Sequence, residues 1–255
     1  MAHLKNLFSL ELRRSRALVK KNYTGKCQLE ELPKALQHFL LRSGFTGIGN
    51  IHQVKIEWKT AELKFSKKGN WKTISCVQHN FLPDPIRLVY MKTKMFGLFG
   101  LEAFDSFRHG HGNMIIRLAG LFNLANAKGT EMDKAELATI LAETMIIPDY
   151  ALQNYIKWEE INHYTVMGTI HYYGIKASGI FYFNTNFEIE KFETNDRYFT
   201  NKNGKFHQTK WTAECSNYTR HGLISFPTLC KSTWNFSDGD FTYYQGEIGQ
   251  LIINP

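Results

Sequence analysis

Cysteine is scarce in this sequence: four of 255 residues, Cys27, Cys76, Cys215 and Cys230, with no Cys-x-x-Cys pair. That spacing excludes a zinc knuckle and a disulfide-built scaffold, and leaves four free, mostly buried thiols as the expectation. No apolar run reaches the roughly 18 residues that a membrane-spanning helix needs. The first residues lack the basic, apolar and small-residue order of a secretory leader, so a cytoplasmic chain is expected. The phosphate-binding loop, the GxGxxG dinucleotide turn, the GxSxG nucleophile elbow and the HExxH zinc helix are also missing. Neither a metal nor any other cofactor is therefore expected. Acidic residues are the minority, 23 against 31 Lys and Arg, which gives a formal charge of +8.

The excess charge is local. Residues 1–26 hold seven basic groups and one acid, Glu11, which leaves 24 basic and 22 acidic residues for the rest. A nucleic-acid footprint needs a dense basic face, so a nearly neutral body argues against that partner. Residues 4–21 read as a basic amphipathic helix. Leu4, Leu7, Phe8 and Leu12 recur at helical spacing, and Arg13, Arg14, Arg16, Lys20 and Lys21 follow. Such a helix either makes peripheral contact with an anionic membrane or docks on its own domain. Residues 1–26 are read as an arm and 27–255 as one domain; the chain is 43% hydrophobic, enough for a sizeable core.

A second helix is expected over 30–43, with Pro33 in its first turn and Leu32, Leu36, Phe39 and Leu40 as its stripe. Strand patterns then dominate: 51–58, 71–81, 86–96, a turn at Gly97 and Gly100, and two strands in 101–119 around a Gly-His-Gly bend. A helix over 134–147 carries Leu137, Ile140, Leu141 and Met145 on one face. Asp133-Lys134-Ala135-Glu136 reads as its capping box and Pro148 as its stop. Beyond 157 the pattern is almost wholly β, with turns at 184–186, 201–204 and 237–240. The fold class is α+β: a curved antiparallel β-sheet, a half-barrel, packed around a few helices.

Arg108-His109-Gly110-His111-Gly112 is the most unusual segment. His-x-His on a strand puts both rings on one face, a metal-like arrangement that needs a third ligand such as Asp105 or Glu143. Glycines alternating with the histidines point instead to close backbone approach or a bulge. Structural histidines and an acid–base role for His109 and His111 both stay open. Glu143 lies beside the apolar stripe of its helix, so it is at a wet edge or buried with a partner, Arg108 or Arg197. A buried pair of that kind is either an internal brace or catalytic.

A set of spaced residues resembles a bacterial family of unknown function. It runs through Leu32-Pro33, Gln78, Asp105 to Met114, Leu141-Ala142-Glu143 and Pro148. Trp158, Arg197-Tyr198, Trp211, Tyr218, Gly222, Pro227, Trp234, Asp238-Gly239 and Tyr244 complete it, over about residues 30–253. The aromatic usual after Pro85 is replaced here by Val89 or Tyr90. The resemblance implies the lipoprotein-carrier type of half-barrel, wrapped around helices with an apolar cavity between, and it brings no catalytic mechanism.

The expected function is therefore binding of a hydrophobic or amphiphilic small molecule, such as a lipid. Tyr90, Phe107, Trp211, Tyr218, Trp234 and Tyr244 are expected to line the cavity. Arg108, Glu143 and Arg197 are expected to orient a polar end, with Gln78 added by the resemblance. The alternative is a cofactor-independent isomerase, cyclase or hydrolase on the same shell, using His109, His111, Glu143 and Asp105.

Overall fold

The computed structural model describes residues 3–19, 26–95, 99–201 and 203–255. The expected helix end at Lys20 and Lys21, the turn at Gly97 and Lys202 of the 201–204 turn lie outside these. The chain opens with α1 (Leu4–Leu18), α2 (Lys34–Ser43), β1 (Gln53–Leu63), β2 (Lys72–Thr73), β3 (Ser75–Phe81) and β4 (Ile86–Met95). Next come β5 (Phe99–Arg108), β6 (His111–Leu118), β7 (Phe122–Lys128), α3 (Thr130–Ala142), β8 (Ile156–Asn162), β9 (Thr165–Tyr172) and β10 (Ile175–Phe183). The chain ends with β11 (Ile189–Thr194), β12 (Tyr198–Thr200), β13 (Phe206–Gln208), β14 (Trp211–His221), β15 (Ile224–Phe236) and β16 (Gly239–Ile253).

The strands pair antiparallel in the order β7-β6-β5-β4-β3-β1-β16-β15-β14-β11-β10-β9-β8, with β2 beside β1, making one fourteen-stranded sheet. β7 and β8 are its two ends and do not pair, so the sheet is a half-barrel. The single long jump is β1 onto β16, which joins the chain's first and last strands. Register shifts at Glu57/Trp58 and Trp58/Thr60 interrupt that pairing. Bulges of this kind increase local twist and bend a sheet.

The concave side holds α2 and α3. Met132, Ala135, Glu136, Leu137, Ala138, Ile140, Leu141 and Ala142 of α3 are all buried, so the helix is enclosed on almost every side. Burial is not confined to the expected stripe of Leu137, Ile140 and Leu141, because Ala135, Glu136 and Ala138 are buried beside it, while the turns near Thr130 and Lys134 reach water. The helix begins at Thr130, earlier than expected, with Gly129 at its N-cap. The expected capping box does not form. Asp133 instead accepts the Gly112 backbone N–H at 2.7 Å. That bond ties β6 to α3, and only glycine fits there: a Cβ on residue 112 would lie 2.6 Å from the Met132 carbonyl oxygen. α2 begins after Pro33, its N-cap, and buries Leu36, Phe39 and Leu40.

α1 covers the convex side. Leu4 and Phe8 are buried against Phe81, Ile86, Leu88 and Phe104 of β3, β4 and β5, in a cluster separate from the main core. Phe8 packs edge-on to Phe104, with ring centroids 6.0 Å apart. Of the two surfaces expected for this helix, its apolar stripe occupies its own domain. Arg13, Arg14 and Arg16 remain exposed.

Candidate functional site

Side chains on a strand alternate between faces, so each strand of the half-barrel sends one parity inward. On β3 these are Cys76, Gln78 and Asn80; on β4, Arg87, Val89 and Met91; on β5, Asp105 and Phe107. Between them, β14 to β16 and α3 lies a cavity of about 410 Å³. Its wall includes Trp58, Met91, Met145, Trp211, Trp234 and Tyr244. Arg197 and the three residues of β12, from the small β12–β13 hairpin, line it as well.

Its polar centre is Arg87. The Arg87 Nε donates to Glu143 Oε1 at 2.6 Å, and Nη1 donates to Asp105 Oδ2 at 2.6 Å and Glu136 Oε2 at 3.1 Å. Gln78 donates to Glu143 Oε1 at 2.8 Å, and Asn80 to Glu143 Oε2 at 2.5 Å. Arg87, Asp105, Glu136 and Glu143 are all buried. One buried guanidinium thus faces three buried carboxyls. Burial opposes the charge on Arg87, but Glu143, Asp105 and Glu136 outweigh it and its pKa is raised. Burial, then the charge on Asp105, pushes the Glu136 carboxyl up to about 8, so it carries a proton at neutral pH. Asp105 Oδ1 is buried without a hydrogen-bond partner.

A second polar group also lines the cavity. The Arg197 guanidinium stacks 4.6 Å from the Trp211 ring and 5.6 Å from the Trp234 ring. It also donates to Thr139 Oγ1 on α3. Trp211 Nε1 donates to Tyr243 Oη at 3.2 Å. Arg197 therefore binds the segment before β12 to both the aromatic wall and the central helix.

Of the residues expected at the site, the structure brings together Gln78, Asp105, Glu143, Arg197, Trp211, Trp234 and Tyr244. The others lie elsewhere. Tyr90 is on the convex face under α1, its ring 5.7 Å from Phe8 and its hydroxyl donating to Glu102. Val89 takes the cavity position instead. Arg108 also points to the convex side and pairs with Glu11 of α1. Phe107 is wholly buried in the core beneath the cavity, with its ring 6.3 Å from Tyr172. Tyr218 packs against the core away from the cavity, its hydroxyl donating to Ile189 O at 2.8 Å.

His109 and His111 are corrected too. His109 (φ +51°) and Gly110 (φ +78°) form the two-residue turn between β5 and β6. Both positive angles belong to the tight hairpin turn that suits strand twist. His111 has an exposed side chain 3.6 Å from Asp133. Neither histidine reaches the cavity, and the described residues contain no metal-binding cluster of three or more His, Cys, Asp or Glu.

Arg87 and Glu136 were missed. Both left a signal. Arg87 is a lone charge within the apolar run Ile86 to Met91, where burial demands a carboxylate partner. Glu136 and Glu143 are seven apart, which is one face of a helix. The expected buried Glu143–arginine pair exists, with Arg87 in place of Arg108 or Arg197.

The family of unknown function DUF6920 matches residues 30–252. No curated protein matches the sequence. Similar solved structures include a domain named for outer-membrane lipoprotein sorting from Vibrio parahaemolyticus, 10% identical, with a TM-score of 0.47 over 89% of this chain and 94% of that one. A DUF1329 family protein from Desulfovibrio piger is 8% identical, with a TM-score of 0.46 over 86% and 92%. A LolA-superfamily protein from Nitrosomonas europaea is 10% identical, with a TM-score of 0.44 over 86% and 94%.

Proposed function

The chain belongs to that family of unknown function, and we propose that its half-barrel binds a hydrophobic or amphiphilic small molecule, such as a lipid, in the cavity. One observation carries the reading: a cavity of about 410 Å³ with an aromatic and methionine wall and one buried polar cluster. Ligand sites are typically concave, roughly 300–1,000 Å³, mostly apolar, with a few polar groups that fix orientation. The apolar part of the ligand packs on Trp58, Trp211, Trp234 and Tyr244, and its polar end faces Arg87 or Arg197. Binding is favoured over turnover because Asp105 and Glu143 are held by Arg87, and the two histidines are remote. A cytoplasmic setting belongs to the same proposal, supported by cysteines scattered in sequence with no Cys-x-x-Cys pair.

Native mass spectrometry and solvent extraction of the purified chain test the reading, followed by titration with a fluorescent alkyl probe. The expected result is a co-purifying amphiphile, or probe binding that falls at least tenfold in Trp211→Ala. A fold that is intact, empty and unable to take any alkyl probe overturns it.

A further inference from the structure

The body of the chain is nearly neutral by count, yet its cations are not evenly spread. Ser75, Lys92, Glu102, Arg117 and Asn123 lie in one row across β3 to β7. Beyond that row, towards the hairpin ends, are Lys94 and Phe99 at the β4–β5 end, then Leu121 and Phe122 at the β6–β7 turn. Lys72 of β2 and the ring of Trp71 share a shallow groove with Lys92 and Lys94. Lys64 lies 4.7 Å over the Trp71 ring. Glu102, the acid within the row, is buried and accepts from Tyr90; it offsets one of the row's charges, and Lys64, Lys72 and Lys94 add to the remainder.

The same end carries large apolar side chains in water. Phe99 is 50% exposed, Leu121 58%, Phe122 62% and Leu124 57%, and Phe65 beside Lys64 is 54% exposed. Exposed apolar clusters rimmed by cations mark interaction surfaces. This end is also the cavity's end: Lys72 is in register with Leu63, Leu63 with Tyr244, and Tyr244 with Ser232. Leu63, Tyr244 and Ser232 line the cavity.

We propose that this end of the half-barrel docks on an anionic bilayer surface, with Phe99, Leu121 and Phe122 entering the interface and Lys72, Lys92 and Lys94 on the lipid phosphates. Aromatic and leucine side chains partition into the headgroup boundary, and lysines add attraction to anionic lipid. A single-stranded nucleic acid would use the cations and the rings of Phe99 and Phe122, but it leaves the exposed leucines Leu121 and Leu124, which have no π-face, in water, whereas a bilayer buries them too. α1 does not serve this purpose, because its apolar stripe is covered by β3, β4 and β5. The docked pose sets the cavity beside the lipid, although the docking stands independently of any cavity ligand.

Co-sedimentation of the full chain with vesicles tests this. Binding is expected to vesicles of phosphatidylcholine with phosphatidylglycerol, not to phosphatidylcholine alone, and to weaken as salt is added. The pair Lys92→Gln/Lys94→Gln is expected to weaken it roughly 30-fold, at about fivefold per lysine. Phe99→Ser/Leu121→Ser/Phe122→Ser abolishes it, while Arg13→Gln on α1 leaves it within roughly fivefold. A thermal melt confirms that each variant is folded. The proposal is overturned if the native chain does not sediment with anionic vesicles, if binding survives both rim variants, or if Arg13→Gln weakens it as much as the lysine pair. Capture of a single-stranded oligonucleotide in place of vesicles also overturns it. Probe binding in vesicle-free solution is a separate readout, so the two proposals fail separately.

Discussion

Replacing Arg87 with methionine removes the one cation that three buried carboxyls share. Methionine keeps only the apolar stem of the side chain, so the change removes the guanidinium, its charge and the hydrogen bonds it makes. Glu143 loses a 2.6 Å bond, Asp105 loses another of 2.6 Å, and Glu136 loses one of 3.1 Å. Breaking one buried ion pair by removing a partner typically costs about 3–5 kcal/mol. A whole domain is stable by only about 5–15 kcal/mol. For a chain of this size, about 4 kcal/mol lowers the melting temperature by about 10 °C. The deficit also depends on pH. Burial without a counter-ion favours the protonated carboxyl, so lowering the pH narrows the gap between variant and native protein. Differential scanning calorimetry from pH 5 to pH 9 measures both effects. A variant as stable as the native chain, or one whose deficit does not shrink in acid, refutes the reading of Arg87 as the cluster's counter-ion.

Three further outcomes follow from the same contacts. In Glu136 the folded carboxyl is pushed from its ordinary 4.5 up to about 8, first by burial, so its stabilising contribution is full below 4.5 and is lost as pH rises through 8. Glu136→Gln is therefore expected to match the native melting temperature in mild acid and exceed it above pH 8; equal curves throughout refute this. His79 is held down, from 6.5 to about 4, by burial first and then by Arg16 and Lys55. Its contribution is present above 6.5 and lost as pH falls towards 4, so His79→Gln is expected to flatten that limb of the stability curve. Phe8→Ala is expected to cost about 3 kcal/mol and to release α1 to limited proteolysis, since Phe8 is only 8% exposed beneath that helix.

The architecture was legible because turn chemistry and strand periodicity are local. Ser237 and Asp238 separate β15 from β16, and Asn184 closes its loop by accepting the Asn186 and Glu188 backbone N–H groups at 2.9 Å and 3.0 Å. Strand β7 escaped because residues 122–128 are largely exposed and carry no β-branched residue, so their short alternation is a weak strand signal. The site was half legible. Asp105, Glu143, Trp211, Trp234 and Tyr244 came from type and spacing, but their meeting depends on register across strands far apart in sequence. Arg87 reaches Glu143 across 56 positions and Glu136 across 49. No local pattern reports such a pairing.

Two placements could have been corrected by parity alone. Phe107 and Arg108 are adjacent on β5, so they face opposite sides and cannot both line one cavity. The same rule separates Val89 from Tyr90 on β4. The run from Ile86 to Met91 held more than either point, because a strand that is apolar at successive positions is buried on both faces. One face of β4 holds Arg87, Val89 and Met91 towards the cavity, and the other holds Leu88 and Tyr90 beneath α1. An amphipathic helix does not encode which surface will cover it, but a strand that is apolar on both faces requires a second layer. In this chain the arm at residues 4–18 supplies that layer.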